Sequence, residues 1–258
     1  MIWGGIKRRL YNIYHFLWHK PYYFVRNSEF IWRGVINREG VELYSKNAPR
    51  LDAVQERVLR ELNDDGISSS RIEEFFLGEN LFPELENYAK DLLDKAESKN
   101  KKKFLQFLFD RYPILDFENP FVRFALEDRI LDVANSYLEM YSKFRAFTLN
   151  LTIPVPEGSD EVQSQRWHRD SEDKRLVKVF LYLTDVDSSS GPFTYIRNSH
   201  SKGKWKDVFP QDPPYGSYPL PGAVEKIIPA EYLKINTAVK GTVIFCDTSG
   251  LHKGGFAT

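Results

Sequence analysis

The amino-acid sequence predicts an α+β protein with helices in its first half and a β-sheet sandwich or barrel in its second half. Apolar residues recur at helical spacing between residues 51 and 140. From residue 144 onward the pattern changes to short alternating or β-branched segments that are separated by glycine and proline. Hydrophobic residues make up 42% and aromatic residues 15% of the 258 residues, which supports a sizeable buried core and argues against global disorder.

Composition also restricts the function classes. The chain contains 36 lysines and arginines and 36 aspartates and glutamates, and this lack of a basic surplus argues against nucleic-acid binding. Cys246 is the only cysteine, which excludes an internal disulfide framework and a cysteine-rich zinc site. We therefore expect a cytoplasmic protein in which any metal ion is held by histidine and carboxylate side chains.

The N-terminal segment, residues 1–48, begins with a basic and aromatic stretch. The first 20 residues contain four basic residues, and no acidic residue occurs before Glu29. The stretch lacks a signal-peptide cleavage site, and its apolar runs are shorter than the roughly 20 residues that span a bilayer. It predicts either a helix that lies on a membrane surface, with peripheral contact through residues 1–25, or a helix that packs its apolar stripe on the domain.

The next predicted region, residues 49–143, is helical. It follows a hairpin that the sequence predicts around residues 37–40. A first helix starts after Pro49 and ends at "NDDG", residues 63–66, and further helices are predicted at residues 82–97, 102–111 and 122–143. The last of these carries an apolar face that we expect to lie in the core, formed by Leu126, Ile130, Val133, Tyr137 and Met140.

Residues 144–258 form the predicted sheet region. Strands are expected at residues 144–156, 168–170, 176–186 and 240–247, with a short strand after the "SSSG" turn of residues 188–191. The insert at residues 197–239 is rich in proline, and a long insert of this kind inside a compact sheet is typical of a functional loop such as a lid.

A candidate metal site begins in "QRWHRD", residues 165–170. On a strand, His168 and Asp170 point to the same face, which suits two ligands of one metal ion and equally suits a surface histidine beside an acid. His252 is the best-placed third ligand, because it follows a strand and turn near the carboxyl end. Two imidazoles and one carboxylate leave coordination positions open, as non-haem Fe(II) oxygenases require. His200 is interpreted as structural or loop-exposed.

Three segments in this order resemble the phytanoyl-CoA dioxygenase family of Fe(II)/2-oxoglutarate oxygenases: "QRWHRD", "KVFLYLTDVDSSSGPFTYIRNSH" and "GTVIFCDTSGLHKGG". The resemblance covers residues 144–258 and, less specifically, the helix and turn before residue 77. It implies a double-stranded β-helix, which is a jelly-roll or cupin-like fold, with the N-terminal helices packed outside. It also implies Fe(II), 2-oxoglutarate and O2 as cofactor and cosubstrates, and hydroxylation of a small-molecule substrate.

The resemblance also assigns roles to residues. His168, Asp170 and His252 become the catalytic iron ligands. An aspartate at position 170 indicates hydroxylation, because related halogenases have a small residue there. Arg166 and the proline-rich insert are the expected substrate contacts, although no charge pattern identifies the substrate.

The cosubstrate site departs from the family pattern. The family places a basic residue about ten positions after the last histidine, where it pairs with the far carboxylate of 2-oxoglutarate, and the chain ends at Thr258 before that position. We expect a truncated C-terminus or a substitute base. Four residues are predicted to contact the cosubstrate: Lys178, Phe180 and Tyr182, which share one face of a strand, and Asn150, which lies on a different strand. The alternative for Lys178 is a side chain that faces solvent.

Two other functions stay open at this stage. The missing base favours a jelly roll that binds metal without catalysis and serves as a binding module. The basic N-terminal stretch favours a protein that associates with a membrane surface.

Overall fold

The structure is a computed structural model that describes residues 17, 20–78, 81–95, 101–102, 104–109, 116–210 and 218–258. Most of the predicted N-terminal helix at residues 1–25 therefore lies outside the described residues. The helices alternate with three small sheets, so the fold is α+β as predicted. The helices are α1 (Lys20–Asn27), α2 (Glu29–Ile31), α3 (Arg38–Lys46), α4 (Ala53–Asp65), α5 (Ile72–Phe75), α6 (Phe82–Lys95), α7 (Pro120–Ala125), α8 (Asp128–Leu138) and α9 (Ala223–Ile227). None of the described helices is long and apolar enough to cross a membrane.

Within the described residues, the strands form three antiparallel sheets of three strands each. They are β1 (Ile67–Arg71), β2 (Lys101–Lys102), β3 (Leu105–Phe107), β4 (Asn150–Thr152), β5 (Lys178–Leu181), β6 (Thr194–Ile196), β7 (Leu233–Ile235), β8 (Thr242–Cys246) and β9 (His252–Lys253). The sheet orders are β1-β8-β5, β2-β3-β4 and β7-β6-β9. β8 is buried along its whole length because it lies between two partner strands and under the helices. β8 ends six positions before His252, so this buried strand determines where the turn that carries His252 begins.

The main core lies between the helical region and the sheet β1-β8-β5. Val58 and Leu62 of α4 and Val133 and Tyr137 of α8 are fully buried there together with Phe245 of β8. The predicted first helix is present as α4, which begins at a capping box and ends at Gly66 with a left-handed φ of 81°. A Cβ atom at Gly66 would lie 2.4 Å from the hydroxyl of Tyr195, so only glycine fits this turn.

The predicted hairpin around residues 37–40 is wrong. The chain forms a π-helical turn, Trp32–Ile36, followed by α3. From this stretch, the buried Trp32 and the partly buried Val41 pack against the main core, and their spacing of nine positions does not match the two-residue period of a strand. Arg38 and Glu42 form an ion pair one helical turn apart, which favours the helix.

The predicted helix at residues 102–111 is also wrong among the residues that the structure describes. β3 forms there and pairs with β4. Phe104 and Gln106 are buried and Leu105 lies between them, partly exposed, which is the two-residue period of a strand. β1, β2 and β3 all arise from residues 49–143, so the predicted helical region contributes one strand to the sheet β1-β8-β5 and two to the sheet β2-β3-β4.

The predicted helix at residues 122–143 is divided into α7 and α8. α8 ends at Leu138, because Glu139 adopts a left-handed φ of 53°. The predicted apolar face is otherwise in place, since Ile130, Val133, Tyr137 and Met140 are buried and only Leu126 is partly exposed. The insert at residues 197–239 contains regular structure, because α9, a 3₁₀ turn (Ala230–Tyr232) and β7 all fall inside it.

His200 is fully buried, so the loop-exposed interpretation is wrong and the structural one holds. Nε2 of its ring donates a hydrogen bond to the carbonyl of Asn63 at 3.0 Å. Burial lowers the pKa of His200. Below its ordinary pKa of about 6.5, the unfolded chain binds a proton that the buried ring excludes, so the free energy of unfolding should fall as the pH falls.

We expect His200→Gln to reduce this acid sensitivity, because glutamine can donate to Asn63 without titrating. In metal-free protein, the stability lost between about pH 7.5 and about pH 5.5 should be smaller in the variant by up to about 1 kcal/mol. Urea denaturation at both pH values measures the difference, and His168 and His252 contribute equally to both proteins. Parallel pH profiles would show that His200 takes up a proton in the folded state.

Candidate metal centre

Three potential metal ligands converge where two distant chain segments meet. The backbone N–H groups of His168 and His252 each donate to the carbonyl of the other at 3.0 Å. The carboxylate of Asp170 lies 3.8 Å from Nε2 of His168 and 3.6 Å from Nε2 of His252. One ligand atom from each of the three side chains lies within 4.8 Å of the others. The structure therefore brings together the three residues that the sequence singles out.

Backbone carbonyls fix the tautomer of both imidazoles. Nδ1 of His168 lies 2.8 Å from the carbonyl oxygen of Arg166, and Nδ1 of His252 lies 2.9 Å from that of Gly250. Because a carbonyl oxygen can only accept, each Nδ1 carries the proton and each Nε2 keeps a free lone pair. Both lone pairs are on the nitrogen nearest to Asp170, which is the arrangement that metal-binding histidines use.

The protonation states also suit a metal ion. Burial lowers the pKa of His168, and burial together with the neighbouring His168 lowers the pKa of His252 to about 3. Burial alone would raise the pKa of Asp170, but His252 and Lys178 beside the carboxylate lower it to about 2. At neutral pH the site thus presents two neutral imidazoles and one carboxylate, so no proton has to leave before a metal binds. This donor set fits Fe(II), which takes imidazole and carboxylate ligands. Three protein ligands leave coordination positions of the ion open for cosubstrates.

Lys178 lies beside the candidate ligands. Its Nζ atom donates to Oδ2 of Asp170 at 2.5 Å and to Glu172 at 3.5 Å, and its side chain is 41% exposed. Burial alone would lower the pKa of Lys178, but the two carboxylates raise it. The ammonium group occupies one carboxylate oxygen of Asp170 and leaves Oδ1, so Lys178 orients the ligand in the way that outer hydrogen-bond partners of metal ligands do.

Arg169 points away from the metal site and fixes the chain that carries it. The side chain is buried, and its guanidinium group donates to five backbone carbonyls. These belong to Ser199, Trp205, Val208, Phe209 and Ser249, and the last four lie 2.7–3.0 Å away. Burial lowers the pKa of Arg169 to about 10, so the group stays charged at neutral pH. Arg169 therefore ties the start of the insert and the turn before His252 to the segment between His168 and Asp170.

Of the predicted cosubstrate residues Phe180 and Tyr182, Phe180 is the one whose ring contacts lead to His252. The ring of Phe180 lies 4.6 Å from the ring of Phe193, which lies 5.6 Å from the ring of His252. Tyr182 lies two residues after Phe180, just past the end of β5, and its hydroxyl donates to the carbonyl of Asn236 at 2.9 Å. Phe180 therefore reaches the surroundings of the metal site through Phe193, whereas Tyr182 is held by the chain that precedes β8.

Asn150 and Lys253 point elsewhere. Asn150 is exposed on β4, and its amide donates to the hydroxyl of Thr148 at 3.2 Å, so the structure does not bring it to His168, Asp170 or His252. Lys253 follows His252 directly, but its Nζ atom donates to Glu161 at 2.7 Å and lies over the ring of Trp167. This outward direction is the one that strand alternation predicts for Lys253.

Arg166 approaches the site from the side of the insert. Its guanidinium carbon lies 5.2 Å from the centre of the Tyr218 ring, and one of its N–H groups donates to the carbonyl of Pro219 at 3.4 Å. The ring of Tyr218 stacks on the ring of His168 at 5.8 Å. Tyr218 and Arg169 are the two residues that the sequence does not single out, since neither their spacing nor their type indicates contact with distant segments.

No protein-family model matches the sequence, and no curated protein matches it. Solved structures do match. The epimerase SnoN in complex with Fe3+, alpha ketoglutarate and nogalamycin RO has a TM-score of 0.57 and 18% identity over 80% of this chain and 78% of that one. EctD from S. alaskensis with bound Fe has a TM-score of 0.52 and 16% identity over 80% of this chain and 72% of that one.

EctD also matches in its complex with 2-oxoglutarate and 5-hydroxyectoine, with a TM-score of 0.52 and 17% identity over 80% of this chain and 71% of that one. The chain therefore has the fold of these iron- and 2-oxoglutarate-binding proteins. The resemblance that the sequence motifs predict is confirmed at the level of the fold.

Proposed function

We propose that this protein is an Fe(II)/2-oxoglutarate-dependent dioxygenase that hydroxylates a C–H bond of a small-molecule substrate. One observation carries the proposal: two neutral, carbonyl-oriented imidazoles and one ionised carboxylate converge in a fold whose solved examples hold iron and 2-oxoglutarate. The proposal includes a jelly-roll arrangement of the sheets around this site. A structural zinc site would require a fourth protein ligand in addition to these three.

His168, Asp170 and His252 would hold the iron. When it is bound, the iron together with 2-oxoglutarate and O2 supplies the oxidising chemistry, with decarboxylation of 2-oxoglutarate to succinate. The residues of the chain contribute position and shielding. Lys178 fixes one oxygen of Asp170, and the carbonyls of residues 166 and 250 fix the two rings.

The surroundings of the site divide into an apolar wall and a polar wall. Phe180 and Phe193 limit the access of water on the side of His252. Arg166 and Tyr218 lie on the side of His168, where an arginine and a phenol can hold and orient a polar substrate. We therefore assign substrate contact to Arg166 and Tyr218.

The function is tested by adding 2-oxoglutarate to the Fe(II)-loaded protein without oxygen. The proposal predicts a charge-transfer absorbance that saturates with 2-oxoglutarate, and succinate formation once O2 is admitted. Iron binding with neither absorbance nor succinate would replace the proposal with the alternative of a catalytically silent metal-binding module.

Lys178 is proposed as the base that pairs with the far carboxylate of 2-oxoglutarate, because its charge lies next to the candidate ligands and 41% of its side chain is exposed to an incoming anion. We expect Lys178→Met to weaken 2-oxoglutarate binding by about threefold to fivefold, because an anion that loses a partly exposed charged partner forfeits up to about 1 kcal/mol. The anaerobic absorbance titration measures this change, and a separate Fe(II) titration corrects for any effect through Asp170.

Lys253→Met is the matched control for this variant, since Lys253 adjoins His252 in sequence but pairs with Glu161. Its affinity for 2-oxoglutarate should equal that of the unaltered protein. Equal affinities in the Lys178 and Lys253 variants would assign the anchoring role to a different residue.

A further inference from the structure

Arg166 lies on the same side of its chain segment as the candidate metal ligands. Its backbone is extended, with φ −84° and ψ 151°, so the side chain at position 166 projects to the same side as those at 168 and 170. The burial of the side chains follows this alternation, because Trp167 and Arg169 are buried whereas positions 166, 168 and 170 are partly exposed. Arg166 therefore extends from the side of the segment that carries the metal ligands.

An aromatic ring connects Arg166 to the metal site. The guanidinium carbon lies 5.2 Å from the centre of the Tyr218 ring, which stacks on the ring of His168 at 5.8 Å. An arginine that packs on an aromatic ring keeps its N–H donors available, because they lie in the plane of the guanidinium group. Among the described residues, this group makes one hydrogen bond, to the carbonyl of Pro219 at 3.4 Å. Most of its five N–H donors are thus left for a ligand beside His168.

Arg166 has no ion pair with a carboxylate that the structure describes. Most other arginines with described side chains do have one. Arg169, which has none, is satisfied by its five backbone carbonyls. The remaining arginines without an ion pair are exposed to water, and they are Arg50, Arg60 and Arg145. Arg166 is partly buried, so it has lost part of its hydration and gains more from an anionic partner than these exposed groups do.

The described carboxylates close to this segment already have partners. Glu161 pairs with Lys253 at 2.7 Å. Glu225 accepts a hydrogen bond from Nε1 of Trp167 at 2.7 Å. Within the described residues, the charge of Arg166 is therefore left for an anionic group of a bound molecule.

We propose that the substrate is a small acid whose carboxylate binds Arg166. This inference rests on the proposed function, because it names the class of molecule that the dioxygenase hydroxylates. The planar guanidinium group can donate to both oxygens of a carboxylate at once. Phe180 and Phe193 form the apolar wall on the side of His252. The hydrocarbon part of the acid, which carries the C–H bond, extends from Arg166 towards the metal and this wall.

The proposal is tested by anaerobic calorimetric titration of the full chain loaded with Fe(II) and saturating 2-oxoglutarate. The probes are phenylacetate with phenylacetamide and hexanoate with hexanamide, since each amide has the shape of its acid without the charge. We expect each acid to bind about fivefold more tightly than its amide. Arg166→Met should remove this preference, and Arg166→Lys should keep part of it, because the charge remains. Arg60→Met is the matched control, an exposed arginine of α4, and should keep the full preference.

A separate titration distinguishes the substrate from 2-oxoglutarate, which also carries carboxylates. The anaerobic charge-transfer absorbance should give the same affinity for 2-oxoglutarate in Arg166→Met as in the unaltered protein. A loss of that affinity as large as the loss for the acids would assign Arg166 to the cosubstrate and overturn the proposal.

Three results of the calorimetry would also overturn it. They are equal binding of acids and amides by the unaltered protein, no binding of either acid, and an unchanged preference in Arg166→Met. If the unaltered protein shows no charge-transfer absorbance with 2-oxoglutarate, the proposed function itself fails, and the assignment of a substrate fails with it.

Discussion

Replacing Asp170 with asparagine is expected to lower the affinity for Fe(II) by at least about 100-fold, since loss of an outer hydrogen-bond partner of a metal ligand already costs 10- to 100-fold. Asparagine keeps the shape of the side chain but removes the negative charge that lies between two neutral imidazoles. It also leaves the ammonium group of Lys178 facing the metal position without its nearest counter-ion. Titration of the metal-free protein with Fe(II) under anaerobic conditions measures the change.

Glu172→Gln provides the matched control for this prediction. Glu172 lies two residues from Asp170 and also contacts Lys178, at 3.5 Å, but it is not one of the three converging ligands. We expect its Fe(II) affinity to stay within a factor of about three of the unaltered protein, as for an exposed ion pair. If the two variants lose the same affinity, the carboxylate at position 170 does not coordinate the metal.

Arg169→Met should destabilise the folded protein by about 3–5 kcal/mol, which is near the upper end for a single substitution. Methionine is of similar length but cannot donate to the five carbonyls that Arg169 now binds, and buried acceptors without donors are costly. Arg169→Lys should recover only part of the loss, because an ammonium group has three N–H donors and cannot span the five acceptors. Urea denaturation of the metal-free protein measures both values.

Arg38→Met is the control, because the Arg38 side chain is 72% exposed and pairs with Glu42 one helical turn away. Its unfolding free energy should equal that of the unaltered protein within the precision of the measurement. A loss of less than 1 kcal/mol in Arg169→Met, on the scale of an ordinary substitution, would show that water replaces the guanidinium group without strain.

The candidate site was largely accessible from sequence because its signals are short in range. His168 and Asp170 are two residues apart, and extended backbone places such a pair on one side regardless of how long the strand is. The structure forms only an isolated bridge at His168. The sequence alone gives weaker evidence for His252, because it lies 84 positions after His168. The resemblance to a family supported this third ligand, and the backbone hydrogen bonds between His168 and His252 place the two side by side.

Features that depend on distant partners were not accessible in this way. The "ISSSR" of β1 has weak strand propensity, and it is extended because it pairs along its whole length with the buried β8. Residues 105–107 became a strand for the same reason, through β4. The carbonyl groups that accept from Arg169 are spread over positions 199 to 249, so no local sequence pattern predicts these hydrogen bonds. Local patterns predicted α4, α6 and β8 well, because the apolar stripes of the two helices and the continuous apolar run of β8 lie within the elements themselves.

The two backbone hydrogen bonds between His168 and His252 hold the candidate ligands together without help from the metal ion that the site is proposed to bind. Backbone carbonyls orient the two imidazole rings, and Arg169 donates to the carbonyl of Ser249 close to the same bridge. In proteins whose folding depends on a metal, the ion itself holds its ligands together, whereas here the polypeptide does so. We therefore expect the metal-free protein to stay folded.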